Sequence, residues 1–175
     1  MDAISEARLA LLYPPFAAKI RMMATMLEPE GVTFRVTFGL RSTTEQAALF
    51  AQGRDSVREV NRLRAACSLF PLVDTQNFKV TNAAPGHSWH QFGLAVDVAP
   101  DDPSKPGYQP DWDESHASWG RIVAVGESLG LVSGVSWKDE PHLQMTGRFG
   151  KSPNDEVRQI HLDGGMRGVW EEAFK

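Results

Sequence analysis

The sequence predicts an α+β protein in which helices flank a small antiparallel sheet. Three observations support this class: an apolar helical repeat at residues 4–28, a helix-capping motif at 42–45, and alternating β-branched and aromatic residues at 32–38. The 175 residues, 42% of them hydrophobic and 23% charged, are ordinary for one globular domain. We therefore expect a single domain over 1–175, with its motif-bearing core at about 32–170 and no separate binding domain.

Local signals predict the order of the helices and strands. Pro14-Pro15 breaks or kinks the N-terminal helix 4–28, because proline lacks the amide hydrogen that a helix interior needs. In the capping box Ser42-Thr43-Thr44-Glu45 the hydroxyl and the carboxylate satisfy free amide groups, so a helix is expected through Ala51. The further expected helices run over 55–69, 115–129 and 153–161, with a short last helix after Gly164-Gly165. The expected strands are 32–38, 93–98, 132–137 and 142–145, and the expected loops are 71–89 and 103–110.

Charge and composition exclude several classes of function. The chain has 18 basic and 22 acidic residues, and its basic residues are dispersed, whereas nucleic-acid binding needs a concentrated basic face. No apolar run approaches the ~18 residues of a membrane span, and the first residues lack the pattern of a signal peptide, so synthesis in the cytoplasm is expected. The single Cys67 excludes an intramolecular disulfide and a multi-thiolate metal site, and it is interpreted as a buried thiol or, alternatively, a nucleophile.

Asp97 interrupts the apolar run 94–99, which otherwise has the pattern of a buried strand. A buried carboxylate is costly unless it is paired, hydrogen-bonded or bound to a metal. On a strand its side chain lies opposite to the core-facing Leu94 and Val96, beside small neighbours that leave room for a substrate or an ion. His90 comes just before this strand and could reach the same place.

A second cluster, Asp139-Glu140-Pro141-His142, places a carboxylate three residues before a histidine. Two imidazoles, one carboxylate and an open fourth position form the donor set of catalytic zinc, and a remaining carboxylate can act as general base. The candidate ligands are therefore His90, Asp97 and His142, and the candidate bases are Asp139 and Glu140. Spacing alone leaves purely structural roles open, because single histidines and aspartates are usually structural.

The other three histidines are expected to lie outside this site. His87 forms an H-x-x-H pair with His90, but Pro85-Gly86 disfavours a helix here, so His87 is expected in a loop or at the rim. His116 and His161 lie on expected helical segments and are interpreted as solvated or packing residues.

Five segments follow motifs that occur together in one family. Ser88–Asp97 has the pattern S-x-H-x-x-G-x-A-x-D and Asp139–His142 the pattern D/E-x-x-H. These resemble the zinc motifs of the D-alanyl-D-alanine carboxypeptidase superfamily (VanY-like, LAS-type). Gly39–Arg54 is similar to the G-x-R-S-x-x-E-Q-x-x-L-x-x-x-G-R stretch of one branch, the L-alanyl-D-glutamate endopeptidases of phage endolysins and bacterial wall hydrolases. Val80–Ala83 and Gly164–Trp170 also look like that branch, and the matches keep the family's order.

The resemblance implies a set of site residues and one zinc ion per chain. The implied zinc ligands are His90, Asp97 and His142. Asp139 is the implied general base, and Glu140 is disfavoured because neighbours on an extended segment point to opposite sides. Arg41 would polarise the scissile carbonyl with its fixed positive charge. The expected substrate-binding residues are Ser88, Gln46 and Trp137.

The implied activity is hydrolysis of the L-alanyl-D-glutamate bond in the peptidoglycan stem peptide, by a monomer without a wall-binding domain. The alternatives are a D-alanyl-D-alanine carboxypeptidase or dipeptidase and, in another class, a zinc-bearing binding module without catalysis. The missing signal peptide suits a phage or prophage endolysin that a holin admits to the wall, and it suits a cytoplasmic peptidase that recycles wall fragments equally well.

Three features depart from the family pattern. The segment Trp137-Lys138-Asp139 is compressed, Leu143 stands where an aromatic residue is common, and residues 55–79 form a longer insertion, expected to be helical. We expect these departures to affect substrate preference more than chemistry.

Overall fold

The computed structural model describes residues 1–101, 109–113 and 117–175. His116, most of the expected loop 103–110 and the expected start of the helix at Ser115 lie outside the described residues. The chain divides into two compact units. The sheet unit comprises Met1–Leu40 and Gly93–Gly147, and the helical unit comprises Arg41–Phe92 and Arg148–Lys175. A single domain over the whole chain stays a prediction.

The described residues form an α+β architecture, which confirms the expected fold class. The helices are α1 (Ala3–Leu9), α2 (Pro14–Leu27), α3 (Thr43–Ala51), α4 (Val57–Ala66), α5 (Ser118–Ser128) and α6 (Asp155–Ala173). The strands are β1 (Phe34–Phe38), β2 (Ala95–Pro100), β3 (Val132–Ser133) and β4 (His142–Gln144). Short 3₁₀ turns cover Glu28–Glu30, Asp74–Gln76, Trp89–Phe92 and Val135–Trp137.

The sheet unit contains an antiparallel sheet with the strand order β1-β2-β4-β3. Val36 of β1 lies opposite Val98 of β2, but Phe38 lies opposite Asp97, so β1 carries one extra residue, Thr37, in a β-bulge. The Thr37 hydroxyl donates to the carbonyl oxygen of Asp97, 3.1 Å away. The bulge therefore holds the backbone of β2 at the position from which the Asp97 side chain projects.

The core of the sheet unit lies on one face of this sheet. Val96 and Val98 flank Asp97 on β2, and Leu143 lies between His142 and Gln144 on β4. These three apolar residues pack in one cluster with apolar side chains of α2 and α5. Burial of each such side chain contributes roughly 1.5–3 kcal/mol. Because successive strand residues face opposite sides, the polar residues between them are presented on the other face of the sheet.

The helical unit is built from capped helices. The capping box at Ser42 is present, Ser56 caps α4, and Asn154 caps α6 through its side-chain oxygen. The indole of Trp89 donates to the carbonyl oxygens of Gly150 and Lys151. These bonds fix the 3₁₀ turn Trp89–Phe92, on which His90 lies.

Several expected boundaries need correction. The expected strand 132–137 ends at Ser133, because Trp137 and Asp139 both donate backbone hydrogen bonds to the Gly134 carbonyl and turn the chain. The expected helix 55–69 begins at Val57 and the expected helix 153–161 at Asp155, because the side chains of Ser56 and Asn154 accept the free amide hydrogens and cap these helices.

The predicted breaks are present. The first helix ends at Leu9 and the next begins at Pro14, and α6 is interrupted at Gly165, where φ is 63°. Cys67 is half-buried at the end of α4 rather than fully buried. No helix in the described part of the chain is both long and apolar enough to cross a membrane.

Candidate active site

Asp97 and His142 form a side-chain pair on the sheet face opposite the core. They lie directly opposite each other on β2 and β4, with Asp97 Oδ1 3.3 Å from His142 Nδ1. Their side chains are 22% and 10% exposed, so the pair is shielded but open to one side. The charge that the sequence placed in an apolar strand is thus paired, as the cost of burying a carboxylate requires.

His142 is held at both ring nitrogens. Its Nε2 lies 2.9 Å from Gln144 Oε1, and the ring meets Trp137 edge-on with a centroid distance of 6.0 Å. Burial by itself lowers the pKa of His142, but the hydrogen bond and charge of Asp97, the hydrogen bond of Gln144 and the charge of Asp139 outweigh it and raise the pKa. The carboxylates near His142 therefore favour positive charge on its ring.

Asp139 lies at the start of a turn that leads into β4. The amide of His142 donates to the carbonyl of Asp139 at 3.1 Å, so this segment is a turn and not extended. The alternation argument against Glu140 was therefore wrong. The choice of Asp139 remains a prediction, supported by the family's spacing.

Gly134 allows this turn to pack closely. A Cβ at position 134 would lie 2.0 Å from the carbonyl oxygen of Asp139 and 2.9 Å from the Cβ of His142. The amide of Gly134 also donates to the carbonyl of His142 at 2.8 Å. The compressed segment before Asp139 is thus accommodated by a glycine and by Lys138, whose φ is 61°.

Arg41 and His90 are connected within the helical unit. The backbone amide of Arg41 donates to the carbonyl of His90 at 3.1 Å, and both side chains are largely buried. Arg41 Nη1 donates to Gln46 Oε1 at 3.0 Å, and Gln46 Nε2 donates to the Ala83 carbonyl at 2.6 Å. Ser88 immediately precedes the 3₁₀ turn Trp89–Phe92 and is buried.

His90, Asp97 and His142 carry the donor atoms of a metal-ligand set. His90 belongs to the helical unit, and Asp97 and His142 belong to the sheet unit. Two imidazole nitrogens and one carboxylate oxygen suit a borderline-soft divalent ion such as zinc. The donor chemistry therefore fits the expected metal.

The sequence of the chain matches the model of a known protein family. The family model described as D-alanyl-D-alanine carboxypeptidase, VanY, matches residues 10–133. The chain belongs to the D-alanyl-D-alanine carboxypeptidase (VanY) family. The matched region includes Arg41, His90 and Asp97 and ends before Asp139 and His142.

The chain is also similar to a characterised bacterial protein. The chain is 29% identical over 126 residues to the peptidoglycan L-alanyl-D-glutamate endopeptidase CwlK of Bacillus subtilis (strain 168), a match that covers 66% of this chain and 62% of that protein. The chain thus spans less than two thirds of this relative's length.

Two solved structures are also similar. The crystal structure of the L-Ala D-Glu endopeptidase ChiX of Serratia marcescens is 26% identical, with 83% of this chain and 89% of that chain covered and a TM-score of 0.47. The vancomycin resistance D,D-pentapeptidase VanY from a VanB-type cassette, solved with Zn(II), is 16% identical, with 91% and 83% covered and a TM-score of 0.50. The likeness to VanY is one of fold.

The sequence did not predict Gln144 as part of the site, and the structure explains the departure from the family pattern at Leu143. Gln144 contacts His142 and could have been found from strand alternation, since residues two apart share a face. Leu143 lies on the opposite face in the apolar core and is fully buried, so this departure affects packing. The insertion 55–79 is partly helical, with α4 and one 3₁₀ turn.

The remaining histidines with described positions lie as expected. His87 is exposed in a loop, with Nδ1 3.2 Å from Arg158 Nη1. His161 packs edge-on against Phe92 with a centroid distance of 5.2 Å.

Proposed function

We propose that this VanY-family chain is a zinc-dependent peptidoglycan endopeptidase that hydrolyses the L-alanyl-D-glutamate bond of the stem peptide. The observation that carries the proposal is the Asp97–His142 pair, presented away from the core with Asp139 in the adjoining turn. The Bacillus subtilis relative, whose name specifies this bond, supports the substrate.

In this proposal one zinc ion per chain is held by His90, Asp97 and His142. The donor set supports this, as does the presence of Zn(II) in the VanY structure of similar fold. When bound, zinc supplies Lewis acidity, which activates water and polarises a carbonyl.

The protein's own groups then have distinct tasks. Asp139 is exposed and accepts the proton of the attacking water, then returns it to the leaving amine. Arg41, permanently charged, stabilises the negative charge that develops on the carbonyl oxygen. Ser88, Gln46 and Trp137 stay proposed substrate-binding residues, although Gln46 is fully buried and therefore acts through Arg41 at least in part.

The first test separates the proposed base from a proposed ligand. Asp139→Ala should bind zinc with near wild-type affinity and lose most hydrolysis of purified peptidoglycan, because the proton acceptor is removed and the ligands remain. His90→Ala should lose both zinc binding and activity. Zinc titration and product release, each measured on both variants, give the comparison.

Glu140→Ala is the matched control, since it removes the neighbouring carboxylate from the same turn. We expect it to keep most of the activity. An Asp139→Ala protein with near wild-type turnover would contradict the role given to Asp139, and an inactive Glu140→Ala protein would transfer that role.

The second candidate activity is cleavage of the terminal D-alanyl-D-alanine bond, which the description of the matching family favours. Mass spectrometry of the products from purified peptidoglycan distinguishes the two. New N-terminal D-glutamyl ends support the endopeptidase, and released D-alanine supports the carboxypeptidase. A phage or prophage origin, release by a holin and a monomeric state complete the proposal.

A further inference from the structure

Gln144 is a buried polar residue that neither the motifs nor the proposed reaction uses. It lies on β4, where its backbone pairs with Ala95 of β2 on one side and Val132 of β3 on the other. Its side chain shares a face with His142, two residues earlier, and Oε1 lies 2.9 Å from His142 Nε2. Gln144 is 2% exposed, so it does not reach a substrate in solution.

This contact restricts the proton on the imidazole. A neutral imidazole has one N–H and one lone pair, and a glutamine oxygen can only accept a hydrogen bond. A metal binds the neutral imidazole, and in that form a hydrogen bond to the Gln144 oxygen places the proton on Nε2. The lone pair is left on Nδ1, the nitrogen that lies 3.3 Å from Asp97 Oδ1.

The Nδ1 side of the His142 ring is arranged so that one cation can bind both this nitrogen and the Asp97 carboxylate. With Nε2 protonated, Nδ1 and the Asp97 carboxylate oxygen are both electron-pair donors, and they face each other across the two paired strands. A hydrogen bond from the second nitrogen of a metal-binding histidine fixes its ring orientation and tautomer.

We propose that Gln144 is a positioning residue that holds His142 in the Nε2–H tautomer, so that Nδ1 is the metal-binding nitrogen. The inference rests on the proposed function, since it concerns the zinc ligand His142. Gln144 acts by orienting and not by contact with substrate. We therefore expect its replacement to change metal affinity through His142.

The experiment measures zinc affinity by competition with a chromogenic chelator. Gln144→Leu, which removes the acceptor and keeps most of the volume, should weaken zinc binding by roughly 10–100-fold. Gln144→Glu restores an acceptor oxygen and should bind zinc at least as tightly as the wild type. Circular dichroism establishes that each variant is folded.

Gln52→Leu is the matched control. Gln52 is also a buried glutamine, and its Oε1 accepts a hydrogen bond from Arg64 at 2.9 Å in the helical unit. Its replacement should lower stability without changing zinc affinity. A loss of affinity in Gln52→Leu equal to that in Gln144→Leu would show a general structural effect and overturn the inference.

A second measurement needs no variant. In ¹H–¹⁵N correlation spectra of the zinc-loaded wild type, the His142 ring should show a protonated Nε2 and a metal-bound Nδ1. The opposite assignment, or wild-type affinity in Gln144→Leu, overturns the inference alone. Failure of the wild type itself to take up zinc overturns the proposed function and the inference with it.

Discussion

Gln46 in the helical unit and Gln144 in the sheet unit are both buried, and each presents its side-chain oxygen to a residue of the candidate site. Gln46 accepts from the guanidinium of Arg41, and Gln144 faces the imidazole of His142. The guanidinium remains charged and has only donors, so Gln46 can affect its position but not its chemistry. The imidazole has two tautomers, so Gln144 affects both its position and the location of its lone pair.

The two glutamines also differ in what holds them. Gln144 is on a strand with neighbours on both sides, so its side-chain direction follows from the register of the sheet. Gln46 lies in the first turns of α3, and its amide is fixed by the carbonyl of Ala83 in a loop. The comparison indicates that the metal-binding part of the site depends on strand register, whereas the charge-stabilising part depends on helix and loop contacts.

The largest expected effect comes from Gly134→Ala in the sheet unit. The new Cβ would overlap the carbonyl oxygen of Asp139, and a backbone atom cannot move away as a flexible side chain can. We expect a loss of about 3 kcal/mol in the free energy of unfolding. Because the turn before His142 must shift, zinc affinity and turnover should both fall more than tenfold, as measured by chelator competition and peptidoglycan hydrolysis.

Gly53→Ala is the corresponding change in the helical unit. It combines a φ of 66° with a Cβ contact of 2.4 Å to the amide nitrogen of Lys79, so it should also be destabilising. We expect zinc affinity to remain unchanged in the folded protein. Equal losses of zinc affinity in both variants would remove the distinction between the two units.

An intermediate effect is expected from Gln46→Leu. This change leaves the Arg41 guanidinium without its side-chain acceptor at position 46, so Arg41 should be less well placed for the developing negative charge. Turnover should fall on the order of 10- to 100-fold, because small displacements of catalytic groups are costly, while zinc affinity stays at the wild-type value. Steady-state kinetics and chelator competition on the same preparation measure both.

Gln52→Leu again serves as the control for the loss of a buried glutamine–arginine bond. It should reduce stability and leave turnover of the folded enzyme unchanged. A Gln46→Leu protein that loses zinc affinity in proportion to turnover would contradict the expectation that Gln46 affects charge stabilisation and not metal binding.

The smallest expected effect concerns the helix caps. Asp2 caps α1 in the sheet unit, and Asn154 caps α6 in the helical unit. Replacement of either by alanine should cost about 1 kcal/mol at neutral pH. Burial raises the pKa of Asp2, but its hydrogen bonds from Ser5 and Ile4 and the charge of Arg35 outweigh it and lower the pKa.

A lowered pKa gives the Asp2 contribution a defined pH dependence. The stabilisation is present above the ordinary pKa of an aspartate and is lost as the pH falls through the lowered pKa of the folded state. The difference between wild type and Asp2→Ala should therefore shrink in strong acid. The Asn154→Ala difference should show no such loss, because its amide does not titrate; thermal unfolding at neutral and acid pH measures both.

The parts of the site that could be predicted from sequence are those that local chemistry controls. Asp97 was recognisable because a carboxylate in an apolar strand needs a partner, and the partner is His142. The expected strand alternation is present, with Val96 and Val98 in the core. The capping box at Ser42 likewise follows from residues close together in the chain.

The parts that could not be predicted depend on contacts between distant residues. The strand-forming residues 135–137 adopt a 3₁₀ turn, because Gly134 lets the Asp139 carbonyl approach and accepts two backbone hydrogen bonds. Because this segment is a turn, the alternation of side chains expected for Asp139 and Glu140 on an extended strand does not apply. The division into two compact units gives no signal in composition, because each unit is assembled from separate stretches of the chain.

Because Asp97 pairs directly with His142, an error in the register of β2 and β4 would change both the core and the candidate site. If β4 slipped by one residue against β2, Leu143 would leave the core and His142 would enter it, since each shift of one residue reverses every side chain. A molecule with this error would lose its apolar packing and its ligand pair at the same time. A slip of one residue between these two strands therefore cannot give a protein that is well packed but lacks the ligand pair, and calorimetry would detect this error as a loss of stability.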